Sequence, residues 1–186
     1  MTRIDSAPFY PIEWGSKTYV DHPKVDGVTL DLYPWRQTDS ESCGVAVGAT
    51  VINTIFYDRN PDHFFHDFVK ACKVSPVLGV TENMLISSLA YYDVHVSKHE
   101  EMKLADIMKA IDEGCPIIST RDWPADENCL HWMIIYGYAS YEAYGREMYK
   151  IYVYCPFWGN GMAILERNFY DIWTPKGYGL VCWGEC

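Results

Sequence analysis

The sequence predicts an α+β domain: a helical first half packed on an antiparallel sheet that the second half supplies. Two observations carry this expectation. Between about positions 42 and 113, apolar residues recur at helical spacing. From about position 115 onward, short apolar and aromatic runs are separated by polar and Gly-containing turns. Helices first and strands afterwards is the order of an α+β arrangement rather than of alternating β-α units.

Each element has its own local reason. Residues 1–34 read as an irregular or short-stranded N-terminal arm, broken by Pro8, Pro11, Pro23 and Pro34. Residues 42–57 read as a helix with Val45, Ala46, Ala49, Val51, Ile52, Ile55 and Phe56 spread nearly all round it, so it belongs in the core. Ser40 or Ser42 can cap its start. Residues 61–73 read as a second helix. Residues 81–92 read as a third, capped by Thr81, and 103–113 as a fourth, ending at Gly114. Strands are expected at 115–120, 131–138, 148–154, 161–165 and 178–182. A polar loop is expected over 122–128, a Tyr/Glu/Gly turn region between the second and third strands, and one helical turn at 169–173. At 186 residues the chain is long enough to bury a single core, and the reading is one domain over 1–186.

Composition narrows the function. Hydrophobic residues make up 49% and charged residues 22%, which fits a globular fold. The formal charge of −10, without a Lys/Arg cluster, argues against nucleic acid or an anionic membrane as partner. No signal peptide and no membrane-length apolar run is visible, and seven cysteines is an odd number, so reduced thiols and a cytoplasmic location are expected. The 16% of aromatics fits sheet propensity. His63 with His66, and His95 with His99, have spacings that metal sites use, but no matched ligands accompany them, and neither metal nor cofactor is expected. Asp122, Asp126 and Glu127 read as a solvated loop, and Cys182 and Cys186 as thiols of a terminal tail.

One constellation carries chemistry. Cys43 stands at the start of the buried helix, where unsatisfied N–H groups and the helix dipole favour a thiolate. Gln37, six residues earlier, offers an amide donor for an oxyanion, alongside the backbone N–H of Cys43. Gly44 leaves room beside the thiol. His131, opening an apolar strand, can take the thiol proton and return it to a leaving group.

Gln37, Cys43-Gly44 and a histidine opening a strand that ends in Gly137-Tyr138 resemble the papain-like cysteine peptidases. The resemblance is greatest to the bacteriocin-processing peptidases that remove double-glycine leaders, and it spans about residues 35–175. Gly114-Cys115-Pro116-Ile117-Ile118 is similar to the family's entry to the first strand, and Asn168-Phe169-Tyr170-Asp171-Ile172-Trp173 to its late aromatic segment. Phytochelatin synthases share the general plan. The resemblance implies a papain-like fold with a buried nucleophile helix, and a Cys-His hydrolase or acyltransferase acting on peptide, isopeptide or γ-glutamyl amide bonds, with a peptide or protein as partner. It implies Cys43 as nucleophile, His131 as base and then acid, and Gln37 as oxyanion donor.

The chain departs from the family at one place. Where the family carries an Asp or Asn before Pro to orient the histidine, this sequence has Cys155-Pro156. A neutral thiol is a poor acceptor for an imidazole N–H. Three readings stay open: Cys155 is a weaker orienter, another group such as Asn160, Asp171 or a backbone carbonyl takes the role, or the site has lost activity and the module binds a peptide or protein partner. A secreted effector or toxin using the same chemistry is a further alternative.

Overall fold

The computed structural model describes residues 26–37, 42–56, 68, 72, 79–123, 126–173 and 175–184, with the side chains of 26, 122, 123, 126–129 and 160 left aside. Among them are strand β1 (Asp26–Thr29), helix α1 (Cys43–Ile55), helix α2 (Glu82–Tyr91), strand β2 (Val94–His99), helix α3 (Leu104–Asp112), strand β3 (Ile117–Trp123) and strand β4 (Asp126–Ala143). Strand β5 (Arg146–Cys155), strand β6 (Asn160–Leu165), helix α4 (Glu166–Ile172) and strand β7 (Gly179–Gly184) follow. The architecture is α+β, as the hydrophobic pattern requires.

The strands form a 7-stranded sheet in the order β2-β7-β3-β4-β5-β6, with β1 also on β4. Every ladder is antiparallel. Strand β4 is the spine. Its first half pairs with β3, its second half with β1, and β5 lies along its other edge. A register shift between Ile135 and Gly137 lets this long strand bend. Gly137 also lies close under β1: a Cβ there would sit 2.7 Å from the Val28 carbonyl oxygen.

Three expectations change here. Strand reaches into the expected polar loop over 122–128: β3 runs to Trp123, which pairs with Asp126 at the start of β4, with a register shift between Asp122 and Trp123. Polar residues at a sheet end cost little, so composition hid the pairing. The turn region between the β4 and β5 cores shrinks to Tyr144-Gly145, both at positive φ, 55° and 68°, which is the two-residue hairpin geometry matching strand twist. Strand β2 was not foreseen. It lies at the sheet edge against β7, the strand expected over 178–182, in which Cys182 is fully buried and is not a thiol of a terminal tail. Cys186 lies outside the described residues, as does the expected helix over 61–73 apart from Phe68 and Cys72, which are both buried.

The sheet separates two apolar clusters. Strand alternation puts Trp132, Ile134 and Tyr136 with α1 and α2, and Met133 and Ile135 with α3 and α4. Helix α1 is buried from Cys43 to Thr54, as its all-round apolar pattern predicts. Ser42 occupies its N-cap without a side-chain cap bond, so the expected serine cap is not what starts it. Helix α2 is capped by Thr81, whose hydroxyl accepts from Met84 N at 3.4 Å. Gly114 closes α3 at φ 80°. Tyr178 donates to Glu82 at 2.9 Å, and Lys98 meets the same carboxylate at 3.1 Å, tying α2 to β7 and β2.

Two threonines of α1 hold the segment before it. The Thr50 and Thr54 hydroxyls donate to the carbonyls of Ala46 and Thr50, both at 2.7 Å. Their oxygens then accept from Trp35 N at 2.8 Å and Tyr33 N at 3.2 Å. The chain leading to Gln37 is thereby strapped along the helix. Thr50→Val keeps the shape and removes the acceptor for Trp35 N. It should lower the stability by about 1–3 kcal/mol, the cost of a part-buried amide left unsatisfied, read as a shifted urea midpoint at unchanged m-value.

Candidate active site

Of the sequence-predicted residues, His131 and Cys155 are in contact, and Cys43 and Gln37 lie on the elements packed beside them. Cys43 is the first residue of α1 and is buried. Gly44 lies against Val80 and Trp132: a Cβ there would be 2.5 Å from Val80 Cβ and 3.1 Å from Trp132 Cδ1. The glycine is therefore demanded by packing, not by room at the thiol. Trp132 is fixed in turn by donating Nε1 to the Val80 carbonyl at 2.9 Å. His131 precedes Trp132 on β4, so the first turn of α1 abuts the strand at the histidine.

Gln37 reaches the same place from the strap. Its backbone N–H donates to the Pro156 carbonyl at 3.1 Å, and Arg36 Nε donates to the Phe157 carbonyl at 3.3 Å. The Tyr154 hydroxyl donates to the Trp35 carbonyl at 2.8 Å. These bonds lace residues 35–37 onto the end of β5. The Gln37 side chain is buried there.

Cys155, the last residue of β5, is fully buried, and its Sγ lies 3.3 Å from His131 Nε2. The thiol thus stands on one ring nitrogen of the histidine. Cys43 belongs to the cluster on the α1 side of the sheet and Cys155 to the other. His131 connects them: its ring meets Cys155 and its neighbour Trp132 meets Gly44.

Burial dominates the electrostatics. His131 is pushed from the ordinary 6.5 down to about 3, first by desolvation and then by the nearby Arg121 guanidinium. Burial raises the Cys155 thiol, while Arg121 and the backbone N–H groups of Trp158 and Phe157 act against that rise. The imidazole is accordingly neutral through the physiological range. A neutral imidazole can accept a thiol proton directly.

Arg121 is the residue that sequence reasoning passed over. It lies one residue beyond the expected end of β3, yet it is fully buried and is the ladder partner of His131. The period-two sequence Ile117, Ser119, Arg121, continued to the register with His131, would have exposed it. Among the other candidates, His95 and His99 are on β2, where His95 stacks on Trp183 and His99 Nε2 lies 3.1 Å from Ser97 Oγ. No group of three or more potential metal ligands occurs among the described residues. His63 and His66, and the side chains of Asp122, Asp126, Glu127 and Asn160, lie outside them. Asp171 is exposed on α4.

The fold has counterparts among solved structures. A double-glycine-motif protease from an AMS/PCAT transporter, crystallised with the leader peptide, superposes with a TM-score of 0.59 at 14% identity, covering 85% of this chain and 95% of its own. The peptidase domain of Streptococcus ComA, a bifunctional ABC transporter of a quorum-sensing pathway, superposes with a TM-score of 0.59 at 16% identity, covering 82% of this chain and 99% of its own. The chain has the papain-like peptidase fold. Neither the models of known families nor the curated proteins yield a match to this sequence. The papain-like fold is thus kept here at an identity where sequence comparison fails. No described helix is long and apolar enough to cross a membrane.

The depressed histidine has a measurable consequence. Between pH 6.5 and 3 the unfolded chain binds a proton at position 131 that the folded chain refuses, so stability falls as pH falls. The slope reaches about 1.4 kcal/mol per pH unit, and the loss between pH 6.5 and 5 should be up to about 2 kcal/mol. Urea midpoints across that window should show the loss, and a His131→Gln variant should lack it.

Proposed function

We propose that the chain is a cysteine-dependent peptide hydrolase whose nucleophile is Cys43 and whose base is His131. The observation that carries the reading is the His131 ring held by Cys155 at 3.3 Å on Nε2, on the strand whose next residue, Trp132, lies against Gly44 in the first turn of the buried helix that Cys43 opens. Support also comes from the lacing of Gln37 to Pro156, which brings an amide side chain to the same end of the sheet, and from a fold shared with peptidase domains.

The chemistry follows from these groups. Cys43 Sγ attacks the substrate carbonyl while its proton passes to His131 Nδ1. The oxyanion is received by the Cys43 N–H and the Gln37 amide. His131 then gives its proton to the leaving amine, and the amine departs. A water, deprotonated by the same imidazole, releases the acyl group. If an amine reaches the thioester before water, the same steps give acyl transfer, and isopeptide or γ-glutamyl amides present the same carbonyl chemistry. Cys155 orients the imidazole.

A second reading has one specific observation in its favour: the residue on Nε2 is a thiol, a poor acceptor when neutral. On that reading the module binds a peptide without cleaving it. Iodoacetamide at near-neutral pH separates the two, with modification located by mass spectrometry. Cys43 should alkylate faster than a free thiol, and His131→Ala should remove the excess. Cys43→Ala should abolish cleavage in a peptide-library assay, and Gln37→Ala should cut kcat by about 10²–10³ with the fold intact. A Cys43 no faster than free cysteine, in a protein whose Cys43→Ala form still retains peptides, would establish the binding module instead.

A further inference from the structure

We propose that the turn after β5 is a substrate subsite: the exposed rings of Trp158 and Phe157, fixed beside Cys155 and His131, take a bulky apolar side chain of the peptide next to the bond that is cut. The inference rests on the Cys-His reading above and adds to it a substrate class and the residues that select it. That class differs from the double-glycine motif after which one of the solved counterparts is named.

The turn is built on the site itself. Gly159, at φ 68°, donates its N–H to the Cys155 carbonyl at 2.9 Å, so residues 155–159 close on the cysteine that touches His131. The Phe157 and Trp158 N–H groups donate to the Cys155 sulfur from inside the turn. The His131 ring and the Trp158 backbone thus share one sulfur atom as partner. The carbonyls are tied as well: Pro156 accepts from Gln37 N at 3.1 Å and Phe157 from Arg36 Nε at 3.3 Å. Arg36 also fills the space beside Gly159, where a Cβ would stand 2.8 Å from its Cδ. The backbone that carries the two rings is therefore pinned from inside and outside, and rings on a pinned backbone lose little freedom on binding.

What the turn presents to solvent is apolar. Phe157 is 40% and Trp158 43% exposed, and their rings meet edge to face at 5.2 Å. Leu130, the residue before His131, is 49% exposed. Large apolar side chains are exposed at eight described positions, and these three adjoin the site residues in sequence, while the other five are dispersed over β1, α1, α2, a hairpin tip and β7. Single exposed apolar residues are ordinary, whereas a group of them at a site marks a contact surface. Folding of the turn does not call for the rings, because its hydrogen bonds come from the main chain and Arg36. The same bonds decide the occupant. They consume the turn's amides and its first three carbonyls, so a ligand meets ring faces and edges, which favour an aromatic or branched aliphatic side chain. Because Trp158 and His131 meet at one sulfur, that side chain belongs to a residue within about two positions of the attacked carbonyl, as the roughly 3.3–3.6 Å span of one extended residue requires.

The test alkylates Cys43 in the whole protein with iodoacetamide, N-benzyliodoacetamide and iodoacetylglycinamide, each rate divided by that for free cysteine and the modified residue located by mass spectrometry. The benzyl reagent should exceed the other two by about tenfold, the scale of one aromatic contact. Trp158→Ala should remove most of this excess and Trp158→Phe should keep most of it. Tyr144→Asn, at the hairpin tip that begins β5 rather than at the turn that ends it, should leave the excess unchanged. In a peptide-library assay, cleavage should select a bulky apolar residue within two positions of the bond, and Trp158→Ala should raise KM for those peptides more than it lowers kcat. A normalised benzyl rate no higher than that of iodoacetamide overturns the proposal, as does an excess that survives in Trp158→Ala or a library cleaved without such selection. If a variant does not fold, the wild-type ratio decides. The hydrolase reading fails separately, through a Cys43 no faster than free cysteine toward iodoacetamide, while the ratio between reagents still reads the subsite.

Discussion

The burial of α1 is the constraint on which the rest of the molecule depends. Val45, Val47, Val51 and Ile52 are wholly removed from water. At about 1.5–3 kcal/mol for each such side chain, they contribute on the order of 6–12 kcal/mol, an upper figure because the unfolded chain already hides some surface. That matches the whole net stability of a typical domain. The helix therefore has one seat, against β4 and under α2, and its first residue has one address. The thiol of Cys43 is placed by hydrocarbon packing, and the chemistry proposed for it inherits that precision.

A helix packed this tightly also has little tolerance for polar groups, and the two threonines show how they are accommodated. Each hydroxyl satisfies a carbonyl one turn back and presents its oxygen to the strap. The strap needs these acceptors because its own backbone pairs with no strand over 33–35. One pair of side chains thus settles two requirements: neither threonine hydroxyl is left without a partner, and the chain that ends in Gln37 arrives at β5 in fixed register. Position 37 and position 43 are bound to the same helix by different means, the one through hydroxyls and the other through covalent continuity.

What was legible in the sequence follows from which interactions are local. The helical spacing of α1, the Thr81 cap and the Gly114 stop are decided within a few residues, and each was readable. So was Cys43 at a helix start and His131 on a strand. Pairing across the sheet is not local. The 122–128 segment looked like loop because its residues are polar, yet the ladder of β3 and β4 extends into it as far as Trp123 and Asp126. Strand β2 has an edge strand's mixed face and gave no clear alternation. Gly44 was assigned to room at the thiol, whereas the contact that needs it is with Val80 and Trp132, one distant in sequence and the other on the sheet. Arg121 escaped for the same reason: a charged residue next to Asp122 and Trp123 reads as exposed until its register with His131 is known.

The arginine gives the cysteine its meaning. A thiol in place of a carboxamide or carboxylate, judged alone, is a loss, because it exchanges a strong acceptor for a weak one. Judged with Arg121 the balance changes. A carboxylate at position 155 beside a buried guanidinium would be a fixed ion pair, charged at every pH of interest and indifferent to its surroundings. A thiol in that position has its ionisation contested, with desolvation on one side and a cation with two amides on the other. The ring beside it is held neutral by the same burial and the same arginine. Buried Arg121 therefore acts on both partners in one sense: it opposes the rise that burial gives the Cys155 thiol, and it joins burial in holding the His131 ring neutral.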